Sequence, residues 1–93
     1  MIPFDNRDGF IWFNGSLIKW EEAKIHVLNH GLHYGSCVFE GVRIYNGKIF
    51  KLDEHIERLF KSAEILDLKI PYDLNEIIIQ TKNIVKKQGV REG

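Results

Sequence analysis

The stretch SCVFEGVRIYNGKIFKL, residues 36–52, has the composition of two short strands joined by a tight turn. Asn46 and Gly47 form a strong hairpin signal, because both central positions of such a turn require a positive φ angle. An earlier stretch, FIWFNGSLIKW at residues 10–20, repeats the arrangement with apolar flanks around Asn14 and Gly15. The sequence therefore predicts two antiparallel hairpins.

Alternate side chains of a strand point to the same face, so residues 36–45 present two different surfaces. The face predicted to pack against helices carries Val38, Glu40, Val42 and Ile44. The other face carries Cys37, Phe39, Gly41, Arg43 and Tyr45. Glycine within a strand often marks close approach by a ligand or another backbone, so this outward face resembles the floor of a small pocket. The alternative is an ordinary solvated face with an exposed arginine and a bulge at the glycine.

Two helices are predicted after the hairpins. In DEHIERLFKSAEILD, residues 53–67, the apolar residues recur at helical spacing and form one stripe. In DLNEIIIQTKNIVKKQG, residues 73–89, Asp73 and Glu76 have capping-box spacing and Gly89 is a stop signal. Residues 21–35 lack a clean period, with one helical turn expected around 27–32. The order of elements predicts an α+β fold: a mostly antiparallel sheet of two hairpins with two helices packed on one face.

Composition limits the classes of function. The 93 residues suffice for one small domain, and 13 basic residues balance 13 acidic ones, so no basic surface for nucleic acid is expected. The start of the chain lacks the features of a targeting peptide, and no apolar run approaches the roughly 20 residues of a membrane span. The single cysteine, Cys37, excludes an internal disulfide and is expected to be a buried or half-buried packing residue. A cytoplasmic protein is predicted.

Two further groups of side chains are candidates for chemistry. His26, His30 and His33 are spaced by four and three residues, but no carboxylate or cysteine completes a zinc set, so no metal is predicted. Arg58 lies off the centre of the first helix's apolar stripe, where it could bind a phosphate bidentately. The alternative for Arg58 is a solvated position on the helix surface.

The segments IWFNGSLIKWEEAKIHVLNHGLHYG and YGSCVFEGVRIY, followed by HIERL, resemble the small N-terminal domain of fold-type IV aminotransferases. These enzymes use pyridoxal 5'-phosphate (PLP). The branched-chain amino acid aminotransferases are the most similar group, because a glutamate–glycine pair follows Phe39. The resemblance covers essentially all 93 residues. It implies that residues 1–93 are the small domain and that the C-terminal cofactor domain is absent from the chain.

The resemblance also implies roles for five residues. Tyr34 and Phe39 match aromatic residues that wall the pocket for the substrate side chain, with Tyr34 serving the neighbouring subunit's site. Gly41 matches a glycine that leaves room for substrate. Arg43 matches a strand arginine on the pocket side, with no settled role. Arg58 matches the arginine that binds the cofactor phosphate.

The implied reaction is amino transfer between leucine, isoleucine or valine and 2-oxoglutarate, in a homodimer or larger assembly. The lysine that forms the Schiff base lies in the family's larger C-terminal domain, and no lysine of this chain matches it. The 93 residues are therefore expected to be an inactive fragment with no catalytic residue of its own. Two alternatives stay open: a fragment of a D-amino acid aminotransferase or aminodeoxychorismate lyase, and a non-catalytic interaction module that uses an exposed sheet face.

Overall fold

The computed structural model describes residues 8–93, which form two β-hairpins and three α-helices. The first hairpin consists of β1 (Phe10–Phe13) and β2 (Ser16–Lys19), and a 3-10 turn follows at Trp20–Glu22. The remaining elements are α1 (His30–Tyr34), β3 (Ile44–Tyr45), β4 (Lys48–Ile49), α2 (Leu52–Ile65) and α3 (Leu74–Gln88). The α+β fold class predicted from the sequence is confirmed.

Both hairpins are antiparallel and turn where the sequence predicts. Asn14 and Gly15 have φ angles of 49° and 90°, and Asn46 and Gly47 have φ angles of 51° and 77°. These positive angles match the right-handed twist of the flanking strands, which explains the strength of the asparagine–glycine signal. Within residues 8–93 the hairpins form two separate two-stranded sheets.

The predicted strand over residues 36–45 is wrong in its extent, because only Ile44–Tyr45 is a β-strand. The backbone of residues 36–42 makes no hydrogen bond with any other residue between 8 and 93. The side chains nevertheless alternate, since even-numbered residues from 36 to 44 are half-buried and odd-numbered residues from 37 to 45 are exposed. The two predicted faces are thus confirmed. A strand also needs a partner backbone, and residues 8–93 supply none at this segment.

The end of the described chain lies beside β3. The backbone N–H of Ile44 donates to the carbonyl of Gly93 at 2.8 Å, and the N–H of Gly93 donates back to Ile44 at 3.1 Å. Arg91 continues this contact, because its carbonyl accepts from the N–H of Gly47 at 2.9 Å. A reciprocal pair of this kind is the pattern of antiparallel neighbours.

The helices begin and end for local reasons that the sequence largely predicts. Asp73 accepts a hydrogen bond from the N–H of Glu76 at 2.8 Å and so caps α3, which ends at Gly89 in the left-handed conformation. Helix α2 begins at Leu52, so the second strand of the hairpin is shorter than predicted. Helix α1 begins at His30, slightly later than expected, because the side chain of Asn29 caps it through the N–H of Gly31.

The core lies where α2 contacts α3 and the hairpins. Among residues 8–93, the fully buried apolar side chains are Leu52, Ile56 and Ala63, all on α2. Helix α3 packs on β1, where Gln88 exchanges two hydrogen bonds with the backbone of Phe10, at 3.0 and 3.2 Å. In the described part of the chain, no helix has the length and apolar character needed to cross a membrane.

Candidate functional site

The odd-numbered side chains of residues 37–45 form an exposed row. Phe39 is 84% exposed, and Gly41 and Arg43 are exposed beside it. A β-carbon added to Gly41 would lie 3.7 Å from the Phe39 ring, so the glycine and the aromatic ring are direct neighbours. The guanidinium of Arg43 lies 5.6 Å from the ring centroid of Tyr45, in cation–π range. The structure therefore brings Phe39, Gly41 and Arg43 together on one open surface.

Cys37 lies on the same row and is exposed, so the prediction of a buried or half-buried packing residue is wrong. The physical reason is the alternation itself. An odd-numbered position in this segment points away from α2, and no element of residues 8–93 covers that side.

Tyr34 lies apart from this row, at the end of α1. Its side chain is exposed, and its ring lies 4.9 Å from the ring of His30 and 4.6 Å from that of His33. The histidines of this region thus form an aromatic cluster with Tyr34. In the described part of the chain, no three His, Cys, Asp or Glu side chains are close enough together to hold a metal ion.

Glu40 is the centre of a second group, on the opposite face of the segment. Its side chain is only 8% exposed, and Arg58 of α2 donates to it from Nε at 2.6 Å and from Nη2 at 2.7 Å. His55, one turn earlier on α2, donates from Nδ1 to Oε1 of the same carboxylate at 2.7 Å. A carboxylate only accepts hydrogen bonds, so this contact requires the proton on Nδ1 of His55.

These contacts change the acid–base behaviour of the pair. The Arg58 guanidinium, and secondarily His55, hold the pKa of Glu40 at about 2 rather than its ordinary 4.5, against an opposing effect of burial. The same hydrogen bonds from Glu40 raise the pKa of Arg58. Glu40 is consequently ionised at neutral pH, and the group is a fixed ion pair with a histidine attached to it.

Arg58 thus approaches residues 36–43 from the helix side, whereas Phe39, Gly41 and Arg43 lie on the open side. Its own side chain is 65% exposed even though two of its five N–H bonds point to Glu40. Nη1 has no hydrogen-bond partner among residues 8–93. The arginine therefore has one edge held by the protein and one edge open to an anion.

A cleft of about 630 Å³ lies elsewhere, between the second hairpin and the ends of α2 and α3. None of the five residues predicted to bind cofactor or substrate lines this cleft. Its walls combine apolar side chains with four cations: Ile49, Leu52, Val85, Val90, Lys48, Lys82, Lys86 and Arg91. Size alone is a poor guide here, because the charged side chains of the cleft converge on no common point that the structure defines.

Glu40 and His55 are the residues of this group to which the sequence pattern gave no role. A signal for each was present. Glu40 is the one acid on a face otherwise made of Val38, Val42 and Ile44, and an acid on a half-buried face needs a partner. His55 and Arg58 are three residues apart on a helix, so both reach the same side.

Comparison with known proteins places these features in a family. A family model described as amino-transferase class IV matches residues 37–93. A probable branched-chain-amino-acid aminotransferase of Rickettsia felis is 49% identical over 92 residues, which cover 99% of this chain and 32% of that protein.

Solved structures agree with the sequence match. The crystal structure of the Escherichia coli branched-chain amino acid aminotransferase superposes with a TM-score of 0.87 at 36% identity, covering 92% of this chain and 30% of that one. A second branched-chain amino acid aminotransferase, from T.th., was solved with pyridoxamine 5'-phosphate and superposes with a TM-score of 0.87 at 42% identity over the same shares. The chain thus spans about a third of the length of these relatives. The resemblance seen in the sequence is confirmed, and the chain belongs to the class IV aminotransferases.

Proposed function

We propose that this chain is the small N-terminal domain of a PLP-dependent branched-chain aminotransferase. The whole enzyme exchanges the amino group of leucine, isoleucine or valine with 2-oxoglutarate. Support comes from the names of the relatives, at up to 51% identity over nearly the whole chain. The 93 residues alone are inactive, because the lysine that bonds to the cofactor belongs to a part of the enzyme that this chain does not contain.

The observation that carries the proposal is the open row of Phe39 and Gly41, which the fold itself does not require. Gly41 has no left-handed φ angle, and a β-carbon there would make only an ordinary 3.7 Å contact with the Phe39 ring. Phe39 places a large apolar ring in water, at a cost in free energy that a binding partner would recover. An aromatic wall with a gap beside it fits a branched apolar side chain.

The residues present also fit the phosphate group of PLP. A phosphate dianion binds best to a planar guanidinium whose orientation is fixed, and Glu40 fixes that of Arg58 while one edge stays open. When bound, PLP supplies an electron sink for the amino-acid carbanion. In this arrangement Arg58 holds the cofactor phosphate, and Phe39 and Gly41 receive the side chain of the amino acid. Arg43 lies on the substrate side of the row.

Tyr34 has a different role in the proposal. It is exposed and lies on α1, away from the row of Phe39 and Gly41, so it is available to a second subunit. We assign it to the substrate pocket of the neighbouring protomer in a cytoplasmic homodimer or larger assembly.

The test uses the whole enzyme, in which this domain is joined to the domain that carries the lysine. Leucine, isoleucine and valine with 2-oxoglutarate are expected to be substrates, with kcat/KM at least about 100-fold above that for D-alanine. In the Arg58→Ala variant, PLP affinity is expected to fall by about 10- to 100-fold, the loss of one or two charge-assisted hydrogen bonds. The Arg43→Ala variant is the matched control and should keep its PLP affinity.

Each part of the proposal has its own contrary result. Activity on D-alanine without activity on leucine would show a D-amino acid aminotransferase, and ammonia or pyruvate release without amino transfer would show a lyase. Unchanged PLP affinity in Arg58→Ala would remove the phosphate role. Complete absence of PLP binding in the whole enzyme would leave a non-catalytic interaction module as the explanation of the exposed row.

A further inference from the structure

Glu40 occupies a position that no part of the amino-transfer chemistry explains. Its carboxylate lies on the half-buried face of residues 36–44, between the positions of Val38 and Val42, with 8% of the side chain exposed. An ionised carboxylate in such a place is costly unless hydrogen bonds compensate for the lost water. Arg58 and His55 supply three, at 2.6, 2.7 and 2.7 Å.

The geometry of these bonds leaves Arg58 only one way to face. Glu40 binds the Nε and Nη2 edge of the guanidinium through both of its oxygens, which is a bidentate and therefore directional contact. The Nη1 side is directed away from that contact, and the residue remains 65% exposed. A bidentate pair thus fixes the plane of the guanidinium as well as its position.

His55 prevents the carboxylate itself from turning. It donates to Oε1 of Glu40 and lies 3.5 Å from Nη2 of Arg58, so the three side chains contact one another. Because His55 and Arg58 are three residues apart on α2, the helix sets their separation. The carboxylate is consequently held from two points of one rigid element.

We propose that Glu40, braced by His55, is a positioning residue that holds the open edge of Arg58 ready for the phosphate group of PLP. This inference rests on the phosphate role of Arg58 proposed above. A free arginine side chain loses rotamer freedom when it binds an anion, whereas a side chain already held by Glu40 has lost that freedom before binding. Prior ordering of this kind increases affinity without adding a contact to the ligand.

The sign of one substitution separates this role from simple electrostatics. As a neighbouring negative charge, Glu40 repels a phosphate dianion, so its neutralisation alone would strengthen PLP binding. As a positioning residue, it strengthens PLP binding, and Glu40→Gln would weaken it. Glutamine keeps the shape but presents an N–H group to donors, so it cannot accept from both Arg58 and His55.

The experiment is a titration of the apo form of the whole enzyme with PLP and, separately, with pyridoxal, which lacks the phosphate group. We expect Glu40→Gln to weaken PLP binding by about 10-fold, as expected for one charge-assisted hydrogen bond, and to leave pyridoxal binding within about 2-fold. The double variant with Arg58→Ala should bind PLP no more weakly than Arg58→Ala alone, because Glu40 acts through Arg58. Glu64→Gln, an exposed acid on the same helix, is the control and should change neither affinity.

Several results would overturn the inference. Unchanged or tighter PLP binding in Glu40→Gln contradicts positioning, provided that Arg58→Ala still weakens it. An equal loss for PLP and pyridoxal shows a general folding defect. If Arg58→Ala itself leaves PLP binding unchanged, the phosphate role proposed above fails instead. Should Glu40→Gln not fold, His55→Gln decides, with an expected loss of about 3-fold for PLP only and an unchanged PLP affinity as the contrary result.

Discussion

Glu40 joins the segment of residues 36–43 to helix α2 through charge, since residues 36–42 have no backbone hydrogen bonds to the rest of the described chain. Its ion pair with Arg58 and its bond to His55 keep the pKa of Glu40 at about 2, compared with 4.5 when the chain is unfolded. A folded-state pKa below the unfolded value means that the native state is stabilised when the group is ionised. The contribution is complete above about pH 4.5 and is lost as pH falls towards 2.

Acid titration of the 93-residue chain is therefore expected to report on this one residue. The free energy of unfolding, measured by urea denaturation, should fall between pH 4.5 and pH 2 more steeply in the native sequence than in Glu40→Gln. The Glu64→Gln chain is the control and should follow the native curve. Parallel curves for the native chain and Glu40→Gln would mean that the ion pair does not form in solution.

Elements with a local cause were predictable from the sequence. The asparagine–glycine turns need positive φ angles that few other residues adopt, and Asp73 caps α3 three residues before the N–H that it binds. The apolar stripe of residues 53–67 also predicted α2, apart from its first residue. In each case the responsible atoms lie within a few residues of one another.

Features that depend on distant residues were not predictable to the same degree. The alternation of residues 36–45 correctly separated the two faces, but a strand exists only where a second backbone pairs with it. The contact of Glu40 with Arg58 spans 18 residues and joins two different elements. The side-chain pattern of one segment contains no information about that partner, so the residues that hold Arg58 were identified only in the structure.

Amide hydrogen exchange of the 93-residue chain tests the unpaired state of residues 37–42. Backbone N–H groups without acceptors exchange at rates close to those of an unfolded chain, whereas helical amides wait for local opening. We expect the amides of residues 38, 40 and 42 to exchange at least about 10-fold faster than those of residues 56–63 in α2. Similar protection of both sets would show that the segment pairs with another backbone, such as a second copy of the chain.

The whole chain has a small core for its length. Three described apolar side chains are buried, and the radius of gyration is 14.2 Å, compared with about 12 Å for a compact domain of this size. Several large apolar residues between positions 25 and 39 are exposed instead: Ile25, Val27, Leu28, Leu32 and Phe39. An apolar surface of that extent is typical of an interface, which agrees with a chain that spans about a third of its relatives.

Two substitutions of apolar residues distinguish the core from this exposed surface. Ile56 is 5% exposed and Val27 is 71% exposed. In the 93-residue chain, Ile56→Ala is expected to lower the free energy of unfolding by about 2–4 kcal/mol, because it leaves a cavity. Val27→Ser should change it by less than about 0.5 kcal/mol and should reduce the binding of a hydrophobic dye.

The same Val27→Ser change should have a larger effect in the whole enzyme, because there the exposed surface is expected to be covered. We expect a lower melting temperature, or weaker subunit association by sedimentation, in the enzyme but not in the 93-residue chain. A residue that is neutral in the part and costly in the whole must be buried by something outside the part. If Val27→Ser destabilised the 93-residue chain as strongly as Ile56→Ala does, the apolar residues between 25 and 39 would already be packed within the chain, and the interface would have to lie elsewhere.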